Sequence, residues 1–345
     1  EKVILLSELD DDRSVSLDAL VNVLKPKSSI KDTPHPTCFF EYGYSLIAKL
    51  EATGKAGNSI VYSCAVNKFK SHIKKPRLEF KDITYKVLSE FSDAMLVEGI
   101  KINTVSVYMR TIRAIYNKAI KEGIADYAAY PFNSYKIKNE KTLSRTLTVK
   151  ELKSIVDLTL DVNSASWHWR NVFMLSFYMI GMNLADLLTI NESAIVDGRV
   201  VFRRKKTGKI YSIKIQKPAQ DILYYYRAGM VDKKDDYVLP MIKSGLKPME
   251  QRKAILQSVH TCNNYLKKLA QQCNIGKPVS TYYARYSWAN IARRIGYSKD
   301  IIAEALGHEY GNRVTGIYLD SYDTEIIDDV NTKVIEAVLT KKGAL

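Results

Sequence analysis

The chain has 345 residues, 46% apolar and 26% charged, with 52 Lys and Arg against 37 Asp and Glu and a net charge of +15. That length and balance exclude a disordered or fibrous chain and leave room for two or three domains with real cores. The four cysteines (Cys38, Cys64, Cys262, Cys273) lack CxxC spacing, which argues against a disulfide framework and a zinc site and fits a reducing cytosol. A basic excess spread over tyrosine-rich segments favours a nucleic-acid partner over an anionic membrane surface.

The chain begins with Glu1 rather than Met. Residues 1–32 are therefore expected to be the remnant of, or the linker to, a domain that precedes them. Within them, residues 15–24 suggest one helix, closed by Lys25 and Pro26. From about residue 37 the pattern is helical again, up to a turn at Gly54 and Gly57. A helix from Ser59 follows, then one with Thr84 as N-cap and Gly99 as its stop. The next segment is the clearest: Val105, Met109, Ile112, Tyr116 and Ala119 or Ile120 form one stripe at helical spacing. Arg110 and Arg113 lie off that stripe, either as a solvated face or as a surface for DNA phosphates.

The polar stretch that ends at Thr146 reads as a linker, placed at 138–146, between a first domain at 33–137 and a second at 147–327. Thr148 and Glu151 form a capping-box pattern that opens the second domain. The apolar run 172–182 is too short for a bilayer, which takes about 20 residues, and reads as a buried helix. A β-hairpin follows, with alternating Tyr211, Ile213 and Ile215 after the Thr207-Gly208 turn. Its tip carries Arg203, Arg204, Lys205, Lys206 and Lys209. Helices return at 219–229, 259–275, 281–296 and 298–307, the last capped by Ser298 and stopped by Gly307. The tail, 328–345, reads as an amphipathic helix with Val330, Val334, Ile335, Val338 and Leu339 on one face. An isolated helix of that length is marginal in water, so something must cover the face: the chain's own domain or a neighbouring protomer.

Four features stand in order: Arg204-Lys205-Lys206-Thr207-Gly208, then Tyr282-Tyr283-Ala284-Arg285, then Leu306-Gly307-His308, then Thr315-Gly316-Ile317-Tyr318. Singly, each has an ordinary structural explanation. Together, over about residues 37–325, they resemble the tyrosine recombinase (phage integrase) family, integrases of bacterial conjugative and mobilisable elements in particular. The resemblance implies a mainly α fold with a small β-hairpin: a two-domain DNA clamp of a helical SAM-like core-binding domain and a catalytic domain. It implies Tyr318 as nucleophile, Arg285 and His308 at the scissile phosphate and Lys206 as general acid, with no metal and no cofactor. It also implies double-stranded attachment sites as substrate, a homotetramer on two duplexes, accessory DNA-bending proteins, and the nucleoid of a bacterial cytoplasm. Arg204, Lys205, Lys209, Arg110 and Arg113 are the expected DNA contacts.

The chemistry suits those residue types. A covalent phosphotyrosine conserves the energy of the broken ester. A phenol titrates near ~10 and needs activation, and guanidinium forks stabilise charge on the non-bridging oxygens. Two positions depart from the family pattern. Asn183, in "IGMNLADLL", occupies the place of the family's first arginine, with Asp186 at the place of its acid. Arg170 is the nearest upstream candidate to replace that arginine. Tyr282 stands where the family has a histidine, and its phenol can still hydrogen-bond a phosphate. Tyr322 competes with Tyr318 on spacing alone, and Thr315 at the family's offset favours Tyr318. Rival readings are a DNA invertase of the same family, a type IB topoisomerase-like nicking-closing enzyme, and a DNA-binding protein whose catalysis has decayed.

Overall fold

The computed structural model describes residues 38–142, 144–204, 208–228, 236–308 and 324–340. The expected helix at 15–24, the hairpin-tip residues Lys205, Lys206 and Thr207, and both Tyr318 and Tyr322 lie outside the described residues.

The first body is four helices: α1 (Phe39–Ala52), α2 (Ala56–Ile73), α3 (Tyr85–Val97) and α4 (Ile102–Lys121). Its core is aromatic, with Phe39 edge-on to Phe69 and Phe80 at ring distances of 5.6 and 5.5 Å. The stripe read on α4 is the buried one: Val105, Met109, Ile112, Tyr116 and Ala119 all face the core. Thr84 caps α3 by accepting the Val87 amide at 3.4 Å. Gly99 ends that helix at φ +79°, the left-handed region a glycine adopts without strain. Of the two glycines expected in the first turn, Gly54 is there (φ +70°), whereas Gly57 lies inside α2.

The linker is held at both ends. Asn103 on α4 exchanges hydrogen bonds with the Glu140 backbone at 2.9 and 3.0 Å, and Arg110 donates to Asn139. At the far end the Leu147 amide donates to Ser287 at 2.8 Å and Lys277 reaches the Thr146 carbonyl.

The second body begins with α5 (Val149–Asp157), whose capping box is formed as read: Thr148 and Glu151 satisfy each other's amides. The buried helix, α6 (Ala165–Tyr178), starts earlier and stops sooner than the apolar run 172–182 suggested. Ser164 caps its start by accepting the Trp167 amide. Ile180 (φ +57°) and Gly181 (φ +62°) reverse the chain beyond its end. The short helix α7 (Leu184–Leu187) follows, then a three-stranded antiparallel sheet of β1 (Ile195–Val196), β2 (Arg199–Arg203) and β3 (Ile210–Lys214) in that order. The hairpin is the predicted one; β1 is an addition too short to show a period. Val200 pairs with Ile213, and both are buried.

Among the described residues the remaining α-helices are α8 (Lys217–Ala228), α9 (Pro248–Gln272), α10 (Tyr282–Arg294), α11 (Lys299–Ala305) and α12 (Thr324–Leu339). α9 starts at Pro248, well before the Val259 expected, because proline is at home in the first helical turn.

The tail helix is covered by the chain's own second body. Val330, Val334, Ile335 and Val338 are buried in its core. Asn331, 1% exposed, accepts from the Trp288 indole at 2.8 Å and donates to the Tyr178 carbonyl at 2.8 Å. Its apolar face and its buried amide thus have partners in cis. No helix among the described residues is long and apolar enough to cross a membrane.

Candidate active site

Arg285 sits in the first turns of α10. That helix buries Tyr283, Ala284, Ser287, Trp288, Ile291 and Ala292, a pattern that fixes its rotation and leaves Arg285 at the edge of the packed face. The guanidinium is clamped by backbone. Nη1 donates to the Gly181 carbonyl at 3.2 Å, Nη2 donates to the Leu306 carbonyl, and Nη2 lies 3.3 Å from His308 Nε2. Burial lowers the proton affinity of Arg285, and the neighbouring positive charge of Arg204 lowers it further.

His308 is presented by a helix stop. Gly307 (φ +64°) closes α11 with a Schellman pair: the Gly307 amide donates to Glu304 at 2.7 Å and the His308 amide to Ala303 at 2.8 Å. The Tyr211 hydroxyl packs on Gly307 so closely that an added Cβ would lie 1.7 Å from it. The same hydroxyl donates to the Leu306 carbonyl at 3.0 Å, so one carbonyl ties the hairpin, α10 and the α11 stop together. His308 itself is exposed.

The cleft beside these groups is lined by Met182, Asn183, Asp186, Phe202, Arg204 and Arg285, among others. Asn183 acts as the N-cap of α7, its side-chain oxygen accepting the Ala185 amide at 3.0 Å. Arg204 follows β2 and turns inward: its Nε lies 3.6 Å from Asp186 Oδ2, with side-chain exposures of only 13% and 14%. Lys209 is paired with Glu304 at 2.8 Å and fastens the hairpin to α11.

The structure thus brings Arg285 and His308 together and adds Arg204, which the sequence pattern had placed among DNA contacts. A signal for this existed: strand alternation puts Arg204 on the same face as Val200 and Phe202, the face that packs inward. Phe202 stacks on Tyr211 at 5.1 Å. Tyr282 opens α10 and is half exposed. Arg170 is placed elsewhere: it donates to the Val156 and Leu158 carbonyls at the end of α5, at 3.3 and 2.9 Å. Arg110 and Arg113 are exposed on α4. Among the described residues no cluster of His, Cys, Asp and Glu is placed to hold a metal.

Two family models match the chain: a phage integrase SAM-like domain over residues 38–138 and the phage integrase family over residues 145–325. A solved lambda integrase dimer bound to a COC′ core site superposes with TM-score 0.58 at 16% identity, covering 82% of this chain and 98% of that one. A Tn1549 transposon integrase bound to circular intermediate DNA gives TM-score 0.54 at 11% identity, over 84% and 97%. The XerH site-specific recombinase bound to its difH substrate gives 0.52 at 16%, over 83% of each chain. Among curated protein sequences none matches. At these identities the structural likeness speaks for the fold.

Proposed function

Because the chain belongs to the phage integrase family of tyrosine recombinases, we propose that it is a site-specific DNA recombinase acting through a covalent 3′-phosphotyrosyl intermediate, with Tyr318 as nucleophile. The observation that carries this reading is the Arg285 guanidinium, fixed by two backbone carbonyls beside His308. A donor that is already oriented costs no reorganisation when charge develops on a phosphate.

In the forward step the Tyr318 oxygen attacks the scissile phosphorus. The P–O bond to tyrosine forms as the P–O5′ bond breaks, so one ester replaces another. The phenol gives up its proton to solvent, and the 5′ oxygen receives one from Lys206 on the hairpin. Arg285 and His308 hold the non-bridging oxygens, and the Tyr282 hydroxyl adds a neutral donor. Religation on a second duplex runs the same steps in reverse. Arg110 and Arg113 on α4 offer exposed charge to phosphates of the duplex. The DNA partners are attachment sites of a mobile element in a bacterial nucleoid. The working assembly is a homotetramer across two duplexes, helped by accessory DNA-bending proteins; a tetramer of lambda integrase is solved on a Holliday junction.

The test is a nicked suicide duplex built from the DNA flanking the coding region. A protein–DNA adduct and strand exchange between two duplexes are expected. An adduct without exchange would favour a nicking-closing enzyme, and tight binding with no adduct would favour a decayed binding protein. Lys206→Ala should cleave poorly and recover on DNA with a 5′-bridging sulfur, whose leaving group needs no acid. Impairment without recovery removes Lys206 from that role.

A further inference from the structure

We propose that Arg204 is a catalytic residue that supplies the guanidinium missing at Asn183, reaching the scissile phosphate from the end of β2 instead of from the start of α7. The proposal rests on the recombinase reading above and names how its site is completed.

Three observations converge. First, Asn183 is engaged with its own helix: it caps α7 through the Ala185 amide at 3.0 Å and carries no charge. Second, Arg204 lines the same cleft as Arg285 and Asn183, and its charge is felt by Arg285. Third, Arg204 is a little-exposed cation whose Nε lies 3.6 Å from Asp186 Oδ2. That contact leaves the two terminal nitrogens as a fork for another acceptor.

A purely structural ion pair is the competing account, and the energetics weigh against it. A buried ion pair is weak stabilisation at best, because desolvation offsets most of the attraction. Placing it against a second guanidinium adds like-charge repulsion, and a fold selected for stability alone gains nothing from that. An anion in the cleft reverses the sign of the arrangement: a pentavalent phosphorus with charge on two non-bridging oxygens satisfies both cations at once. Asp186 then acts as the positioning residue that holds the Arg204 stem against the cleft wall. Strand geometry explains why position 204 can do this. It shares the inward face with Val200, which is buried, whereas exposed Arg203 spends its charge on the Gly208 carbonyl at 2.8 Å.

The experiment uses the full chain and nicked suicide duplexes made from the DNA flanking its coding region. One set has an ordinary scissile phosphodiester and the other a methylphosphonate there, which removes the charge of one non-bridging oxygen. Arg204→Ala and Arg204→Lys are expected to bind the ordinary duplex within a few-fold of the unaltered protein. Both should form the Tyr318 adduct ~100-fold more slowly, the usual loss for one oriented donor. On the methylphosphonate duplex Arg204→Ala should recover most of that loss, because there is less charge to stabilise. A merely structural defect would slow both duplexes alike. Adduct formation by Arg204→Ala within about threefold of the unaltered protein, or an equal loss on both duplexes, overturns the assignment. If the unaltered protein forms no adduct, the recombinase reading fails and takes this proposal with it. If its adduct forms and only the Arg204 result is negative, the reading stands and Arg204 alone is removed from the site.

Discussion

Gly181 lies directly against Arg285: a Cβ built at position 181 would stand 2.3 Å from the Arg285 Cα, while the Gly181 carbonyl accepts from Arg285 Nη1 at 3.2 Å. The turn after α6 and the start of α10 thus hold the guanidinium by contact and by hydrogen bond together. Gly181 also sits at φ +62°, where a side chain adds strain. Gly181→Ala is therefore expected to push α10 away, at a cost of ~2–4 kcal/mol in stability and a larger proportional loss of DNA cleavage. Thermal unfolding and adduct formation measured on the same preparation check this; an unchanged midpoint would show that the close approach is not maintained in solution.

Tyr318→Phe removes one oxygen and keeps the ring. It should abolish the covalent adduct while leaving gel-shift affinity nearly intact. Tyr322→Phe should cleave normally. An adduct that persists in the first variant and disappears in the second assigns the nucleophile to Tyr322.

The Asn331 side chain makes two buried hydrogen bonds, from the Trp288 indole and to the Tyr178 carbonyl. Asn331→Leu leaves both groups without partners, at about 1–3 kcal/mol each before relaxation. Urea unfolding should show a loss of roughly 2–4 kcal/mol. Removal of α12 should expose the second core and unfold that body. A truncated protein that stays folded would mean the helix is not integral to it.

Glu151 carries a pH dependence. Burial works against its charge, but Lys277 at 2.7 Å and the Thr148 cap outweigh it, and its pKa is lowered. A carboxylate with a depressed folded pKa stabilises above its unfolded value of ~4.3 and loses that contribution as pH falls through the folded value. Stability should therefore decline on acidification below about pH 4.5, less steeply in Glu151→Gln. Denaturant midpoints across that range test it, and parallel curves for the two proteins would refute it.

DNA binding should weaken steeply with salt. If about ten Lys and Arg side chains neutralise phosphates, the slope of log K against log salt approaches about −9. Arg113→Ala should bring it nearer zero by about one, since that side chain is exposed on α4. A slope near zero for the unaltered protein would argue against a DNA clamp.

Much of this fold was legible in sequence because it is set by local rules. The α4 stripe, the Thr84 and Ser298 caps, the Thr148–Glu151 box and the Gly307 stop each depend on residues a turn apart, and each formed as its spacing implied. The ordered motifs likewise marked Arg285 and His308, which the structure brings within 3.3 Å of each other. What sequence could not fix was where charge ends up when distant segments meet. Arg204 looked like one more cation at a hairpin tip, and Asn183 like a simple loss. Only the tertiary structure brings Arg204, at the end of β2, to Asp186 of α7, and shows Asn183 engaged in capping that helix. The same holds for the tail: its apolar face was plain in sequence, but its cover was decided by Trp288 and Tyr178, whose positions depend on helices far away along the chain. Short-range spacing encodes elements, whereas burial and the fate of a charge depend on long-range contacts that no single stretch of sequence contains.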